Sequence, residues 1–516
     1  MHADDLRGPA PVSPPESTAP PRPISALTLL RGVGWNQLGQ LLPVLAALVL
    51  VPSLIRALGM DRFGILSLAW MLIGYFTLFD LGVSGALTRL VAERLATRRE
   101  DEVPALVWTA LGVTTVMGLV GAGLIAGSAP WIVGRALRIP VALQPEALRL
   151  TWVLAAALPI VTGTAALAGV LSAQHRFGVL NAIRVPMGIL TYLAPLLVLR
   201  VMPGLVAVAL ALALVRVLGG LAHLAACLVS TPGLGAGIVT RRALLGPILS
   251  LGGWMTVTAV VGPMMVYFDR FLIGGSLSMA QVAYYTTPYD LISRLGILTM
   301  PIVSVVFPAF AASFDVDRPR AGRLFDWSVR AVASLIFPAT LVLAVFAREA
   351  LTLWLGPEFA AHSHTVLRLL AIGMYVNCIA QVALALLQGS GRPDFGARVH
   401  LIELPFYLLA LWLLIGGHGI QGVAVAWLAR AGVDAFVLIV MARRRLGEEA
   451  SGARTALVAG GGGLLVLTAG CLLPVLAARL VFTACALAGY VFLAWRMVAT
   501  PGLQVLRDSR LAGSRS

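Results

Sequence analysis

The chain has 516 residues, of which 59% are hydrophobic and 12% charged, with a formal net charge of +15. Soluble domains carry about 25% charged residues, so this composition excludes a water-soluble globular fold. Strands are a poor alternative: apolar runs near 20 residues recur along the length, each able to cross a ~30 Å hydrocarbon core as a helix, without period-2 alternation. The expected fold class is an all-α polytopic membrane protein.

All 38 basic residues are arginine. They concentrate in short connections between apolar runs, which fits the positive-inside rule rather than nucleic-acid binding. Cys227, Cys378, Cys471 and Cys485 are scattered through apolar runs. They show neither metal-ligand spacing nor a disulfide framework, so no metal and no cofactor is expected.

Residues 1–24, rich in Pro, Ser and Ala, are expected to be a disordered tail rather than a signal peptide. Fourteen helices are then expected, near 30–56, 62–88, 103–127, 147–172, 178–200, 204–229, 244–271, 280–311, 327–347, 363–388, 396–416, 419–441, 455–475 and 478–498. RALGMDRFG at 56–64 and RFLIGGSLSMAQVA at 270–283 each follow an apolar run and lead into an apolar helix, a faint internal repeat. It divides the chain into a first six-helix half (25–230), a linker (231–243), a second half (244–442), two extra helices (443–499) and a tail (500–516). Arginines favour the even-numbered connections, as in Arg94–Arg99, Arg241–Arg242, Arg318–Arg323 and Arg443–Arg445, which places both termini in the cytoplasm. No connection is long enough for a domain outside the membrane.

Polar residues inside the apolar runs are the candidates for chemistry, because charge in a membrane segment faces a bundle interior or a water-filled cavity. Asn36 and Gln40 in helix 1 serve either helix packing or ligand contact. Helix 2 carries Thr77, Asp80, Ser84 and Thr88 at helical spacing; Asp80 should face inward, whereas Arg89 belongs either to the cavity or to the cytoplasmic charge collar. In helix 5, Asn181, Arg184, Gly188 and Thr191 share a face, and no acid nearby in sequence neutralises Arg184. Tyr267 to Pro308 holds the densest set. Asp269 and Arg270 end one apolar run, Tyr284, Tyr285 and Tyr289 follow, and Thr287, Asp290 and Arg294 share a helical face. The bland alternative there is a self-neutralised pair, Asp290 with Arg294. Asp326 with Arg330 and Arg430 with Asp434 read as structural i, i+4 pairs, and Gln381 joins Asn377 and Gln388 on one face of helix 10. No phosphate-binding loop, nucleophile elbow, HExxH or His/Cys metal cluster is present, so an enzyme is not expected.

LIRALGMDRFGILSLAWML, FDLGVSGALTRLVAE, YFDRFLIGGSLS, VAYYTTPYDLISRL, VVFPAFAAS, LTLWLGPEF and LLQGSGRPDFGAR resemble the polysaccharide/oligosaccharide flippases of the multidrug/oligosaccharidyl-lipid/polysaccharide exporter superfamily. The resemblance covers about residues 30–440. It implies a fourteen-helix V-shaped bundle with a central cavity, flipping a polyprenyl-pyrophosphate-linked oligosaccharide across a bacterial inner membrane by alternating access. Membrane lipids are its surroundings, and a polymerase or glycosyltransferase of the same pathway is the implied partner. On that reading Arg89, Arg184, Arg270 and Arg294 bind pyrophosphate or acidic sugar, Asn36, Tyr284, Tyr285 and Gln381 contact sugar, and Asp269, Asp290 and Asp80 position arginines or carry coupling protons. An ion-coupled multidrug exporter of the same superfamily is the first alternative, although it would favour acids over arginines. A membrane saccharide polymerase or ligase is the second, and would need a larger outer loop or an acidic pair.

Overall fold

A computed structural model describes residues 26–75, 82–248, 267–447 and 451–494. The expected N-terminal tail, the C-terminal tail and Asp80 lie outside the described residues, as does the side chain of Asn36. In chain order the helices are α1 Ala26–Leu58, α2 Met60–Tyr75, α3 Val83–Ala96, α4 Val103–Trp131, α5 Gln144–Ala173, α6 Phe177–Val198 and α7 Leu205–Ser230. A helical segment over 267–276 is α8. There follow α9 Met279–Ser293, α10 Gly296–Ser313, α11 Arg318–Val345, α12 Ala347–Leu355, α13 Pro357–Gly389, α14 Pro393–Leu446, α15 Ser451–Leu472 and α16 Leu476–Ala494.

Lipid cannot satisfy backbone N–H and C=O groups, so apolar runs rich in Val and Ile fold as helices despite their β-propensity. Among the described residues nine helical stretches are long and apolar enough to cross a membrane. Their outer faces agree: Leu210, Leu214, Leu218 and Leu221 form an exposed stripe along α7, as do Phe406, Leu409 and Leu413 on α14. Such stripes suit acyl chains, not water.

Four elements depart from the expected boundaries. The single helix expected over 62–88 is broken at Gly82, which has φ 73° immediately before α3. The helix expected over 280–311 is bent between α9 and α10. There Leu295, Ile297 and Leu298 donate to carbonyls three residues back, and Pro301 cannot donate to Ile297. α11 starts at Arg318 because Asp317 accepts a hydrogen bond from the Arg320 N–H at 2.9 Å, capping polar turns before the apolar run. The short α12 was not expected at all.

α14 is 54 residues long but is a hairpin. Gly419 (φ 55°, ψ −140°) reverses the chain, and the Arg430 guanidinium lies 5.5 Å from the Tyr407 ring. In a straight helix those residues would be ~34 Å apart. The two limbs, 393–418 and 420–446, match the separate helices expected at 396–416 and 419–441.

α4, α5 and α7 pack closely, with α3 on α5 and α1 on α6, while α13 packs against α9, α10, α11, α12 and α14. The most extensive contact between these two sets is α2 on α9. A Cβ on Gly64 would meet the Met279 carbonyl oxygen at 1.9 Å, so only glycine permits this approach. Nearby, Asp61 Oδ1 accepts from the Ala280 N–H at 3.2 Å, the Arg138 N–H donates to the Gly274 carbonyl at 2.8 Å, and Trp354 Nε1 donates to the Leu48 carbonyl at 2.6 Å. Most of these contacts lie in or beside connections that helix alternation puts on one membrane face. The two sets are latched at that face.

Candidate substrate cavity and its charged wall

Inside the latch lies a cavity of about 100 Å³ bounded by α1, α2, α6, α9 and α12. Its wall includes Ser67 and Trp70 from α2, Tyr192 from α6, Thr287 and Asp290 from α9, Arg294 at the bend, and Trp354. The face predicted for Thr287, Asp290 and Arg294 is therefore the face α9 turns to the cavity. The bend at Arg294 follows from the tightened turn before Pro301, so the α9–α10 kink sets where this guanidinium emerges.

Asp290 does not pair with Arg294. Its Oδ1 accepts instead from Arg270 Nη2 of α8 at 2.8 Å. Arg270 is 4% exposed, whereas the Asp290 side chain remains 54% exposed. Behind it Asp269, 1% exposed, accepts from the Tyr285 hydroxyl at 2.6 Å and from the Arg270 backbone N–H at 2.8 Å. The rings of Tyr267 and Tyr289 lie 5.0 and 4.9 Å from the Arg270 guanidinium, and Tyr289 packs edge-on against Trp427. Taking a charge pair out of water costs several kcal/mol per ion, which the ion pair and flanking rings offset in part, since the buried Arg270 Nε has no hydrogen-bond partner. Arg270 is thus neutralised in place, with Asp290 as its contact to the cavity.

Arg294 has no carboxylate partner among the described residues and is exposed to the cavity. Tyr192 lies within reach of the charges of both Arg294 and Arg216 of α7, and packs edge-on against Trp70 at 5.2 Å. The cavity thus joins a carboxylate already paired, a guanidinium without an acid partner, and aromatic walls.

Other expected residues are placed elsewhere. Tyr285 is fully buried, with its hydroxyl used on Asp269, and so is not positioned to meet a sugar. Tyr284 lies one turn beyond the cavity, stacked on His362 at 4.5 Å. The reason is helical geometry: residues 285 and 289 share a face turned from that of 287, 290, 291 and 294. Arg184 is exposed on α6 and has no ion-pair partner among the described residues, in keeping with its reading, but it does not line the cavity. Neither do Arg89, exposed on α3, and Gln381, half-buried on α13. Asn181 packs into the α1–α6 contact, where a Cβ on Gly39 would meet its Oδ1 at 2.8 Å. Arg330 does pair with Asp326 at 2.8 Å. Among the described residues Arg430 and Asp434 do not pair; Asp434 Oδ1 instead stands 3.6 Å from His400 Nε2.

Tyr192, Trp70 and Trp354 went unnoticed in the sequence. Tyr192 continues the Arg184–Gly188 row at i+8, and Trp354 sits within LTLWLGPEF. Both signals were there, but aromatics at helical spacing read equally as core.

The chain is 26% identical over 415 residues to a Shigella flexneri protein named "Putative O-antigen transporter", covering 80% of this chain and 97% of that protein. Among solved structures, an inward-facing multidrug resistance MATE family transporter of the MOP superfamily superposes with a TM-score of 0.69 at 16% identity, over 79% of this chain and 94% of that one. An outward-facing MATE family transporter gives 0.60 at 14% identity, over 81% and 95%. The lipid II flippase MurJ in its inward closed conformation gives 0.68 at 11% identity, over 90% and 99%. At these identities the likeness is one of fold. The sequence profile described as "Polysaccharide biosynthesis protein" matches residues 29–314, more than half of the chain. This multi-pass membrane protein has the MOP transporter fold and belongs to the polysaccharide biosynthesis protein family.

Proposed function

We propose that the protein flips a polyprenyl-pyrophosphate-linked oligosaccharide across a bacterial inner membrane by alternating access. The observation that carries this reading is Arg294. It is a guanidinium without a carboxylate partner on the wall of a cavity between two helix sets, with Arg216 within reach of the same Tyr192 ring. Guanidinium binds pyrophosphate oxygens through paired N–H donors, so a cationic wall favours an anionic headgroup. A cationic drug would meet the same wall as repulsion. Trp70, Tyr192 and Ser67 supply ring faces and hydroxyls suited to sugars, while the prenyl chain stays in lipid between the sets.

In this reading Asp269 and Asp290 hold Arg270, and Arg294, Arg216 and Arg184 line the path of the headgroup. Two six-helix halves rock about the cavity, with residues 443–499 outside the repeat and both termini in the cytoplasm, as the arginine distribution argues. The latch at 61–64, 136–138 and 274–280 then closes the outer face. A higher TM-score on an inward-facing than on an outward-facing transporter supports this orientation of the cavity. The test is leaflet exposure of a fluorescent polyprenyl-pyrophosphate saccharide in proteoliposomes. The expected result is protein-dependent exposure that Arg294→Ala lowers at least ~10-fold, the loss of one charged contact made during transfer. Wild-type protein that flips nothing, with or without an ion gradient, would overturn the reading.

A further inference from the structure

The segment joining the two helix sets carries a second candidate site, on the outside of the bundle. Three hydrogen bonds pin this linker to the first set: Gln174 Nε2 donates to Thr231 Oγ1 at 2.8 Å, Trp108 Nε1 to the Leu234 carbonyl at 3.1 Å, and the Arg241 N–H to Thr109 Oγ1 at 3.0 Å. A single turn, Arg242–Leu244, then leads into the second set. Where the linker crosses α4 lies a groove of about 410 Å³, lined by Gly112, Val113, Val116 and Met117 of α4 and by Arg241 and Arg242. The bond to Thr109 sets the two arginines at the end of the groove nearer the start of α4.

Depth, shape and charge each narrow what fits there. α4 is 29 residues long, ~43 Å against ~30 Å of hydrocarbon, and Thr109 lies ~9 Å from its start. The arginines are therefore at headgroup level, beside a tryptophan of the kind that marks the interface, and the groove from Thr109 to Met117 runs ~12 Å down into the acyl layer. Below it Leu119, Val120 and Leu124 are exposed, so the groove opens onto the lipid-facing side of α4. A Cβ on Gly112 would meet no described atom within 4 Å, so helix packing does not call for a glycine there; what its missing side chain provides is the width of the groove. Arg241 and Arg242 are exposed and have no ion-pair partner among the described residues. In the neighbouring connection, by contrast, Arg94 and Arg99 both bind Glu102.

We propose that this groove is a binding site for an anionic glycerophospholipid, with its phosphate on Arg241 and Arg242 and one acyl chain along Gly112, Val113, Val116 and Met117. Guanidinium chelates phosphate oxygens through paired N–H donors, and a basic pocket at a membrane face suits an anionic headgroup. A soluble anion would use the arginines and leave the apolar wall unexplained. The groove shares no described lining residue with the central cavity, so the site does not depend on what the cargo is. One wall belongs to α4 and another to Leu245, beyond the linker, so the bound lipid touches both helix sets where the chain passes between them.

The test uses full-length protein in phosphatidylcholine vesicles holding a trace of phosphatidylglycerol or phosphatidylcholine, each with a photoreactive diazirine in the same acyl chain. Crosslinks are mapped by mass spectrometry. Residues 112–117 should be labelled at least ~10-fold more by phosphatidylglycerol, the preference expected of two basic groups at a membrane surface. Arg241→Gln with Arg242→Gln should remove that preference, whereas Arg443→Gln with Arg444→Gln, in another basic connection, should leave it. Gly112→Phe, which fills the groove without meeting a described atom, should remove the labelling of 113–117 by phosphatidylglycerol. Equal labelling by the two lipids, as for an annular lipid only, overturns the proposal. So does a preference that survives the Arg241/Arg242 variant, or full labelling of Gly112→Phe, which decides the matter if the arginine variant does not insert. Displacement of the label by equimolar polyprenyl pyrophosphate would make the groove a cargo site and likewise overturn it.

Discussion

Tyr285 and Arg294 sit nine positions apart in sequence and have opposite fates. The Tyr285 hydroxyl is the side-chain donor that satisfies the buried Asp269, so Tyr285→Phe should destabilise the protein by ~1–3 kcal/mol, measured as a fall in unfolding midpoint. Substrate affinity should be unchanged; reduced affinity at unchanged stability would return Tyr285 to the sugar site. The shared face of Thr287, Asp290 and Arg294 was legible because one helix fixes their relation. The partner of Asp290 was not, because Arg270 reaches it from a different helix and sequence spacing cannot report such a crossing. For the same reason Arg430 and Asp434 looked paired: i, i+4 spacing permits a bond, but burial against Tyr407 and Trp427 turns the guanidinium away. At the surface, Glu349 of α12 is bonded to Arg479 at 2.8 and 3.1 Å. Burial is the largest single influence and raises its carboxyl, but the Arg479 hydrogen bond, a backbone hydrogen bond and the charges of Arg479 and Arg368 together hold it below its ordinary value. The stabilisation is therefore complete above the unfolded carboxyl's value of 4.5 and lost as pH falls through the lower folded value. Glu349→Gln should flatten the acid limb of the unfolding-midpoint profile between those two values.

At the scale of elements, most helices were readable from apolar length alone, since lipid leaves the backbone one choice. The misses were where that choice is relaxed. Gly82 interrupts α2–α3, a bend divides α9 from α10, α11 extends into polar sequence beneath an Asp317 cap, and α12 is too short to register as a span. The α14 turn was legible because Gly416, Gly417 and Gly419 gather at its tip. Gly419 occupies a conformation that side chains strongly disfavour, so Gly419→Ala should cost ~1–3 kcal/mol, read from the unfolding midpoint. The neighbouring Gly416→Ala, which meets nothing within 4 Å, should cost less than half as much.

At the scale of the molecule, the contact that matters is α2 on α9. A side chain on Gly64 cannot coexist with the Met279 carbonyl, so Gly64→Val should force the latch apart rather than loosen the core of either set. The expected readout is greater labelling of a cysteine placed at Ser278 by a membrane-impermeant thiol reagent from the latched face. Unchanged labelling would mean that the two sets close without this approach. The sequence could not disclose the latch, because the 219 positions between Asp61 and Ala280 are brought together only by the fold.

The hairpin form of α14 also bears on how the chain enters the bilayer. Its first limb carries Glu403 and Tyr407, and the side chains that face them, Arg430 and Asp434, are synthesised only after the glycine tip. A nascent chain ending near Trp412 would present a bare carboxyl to hydrocarbon, at a cost of ~2.5–3.5 kcal/mol for an acid at mid-membrane. Insertion of this segment is then expected to be a two-limb event, the second limb folding back to shield the carboxyl of the first.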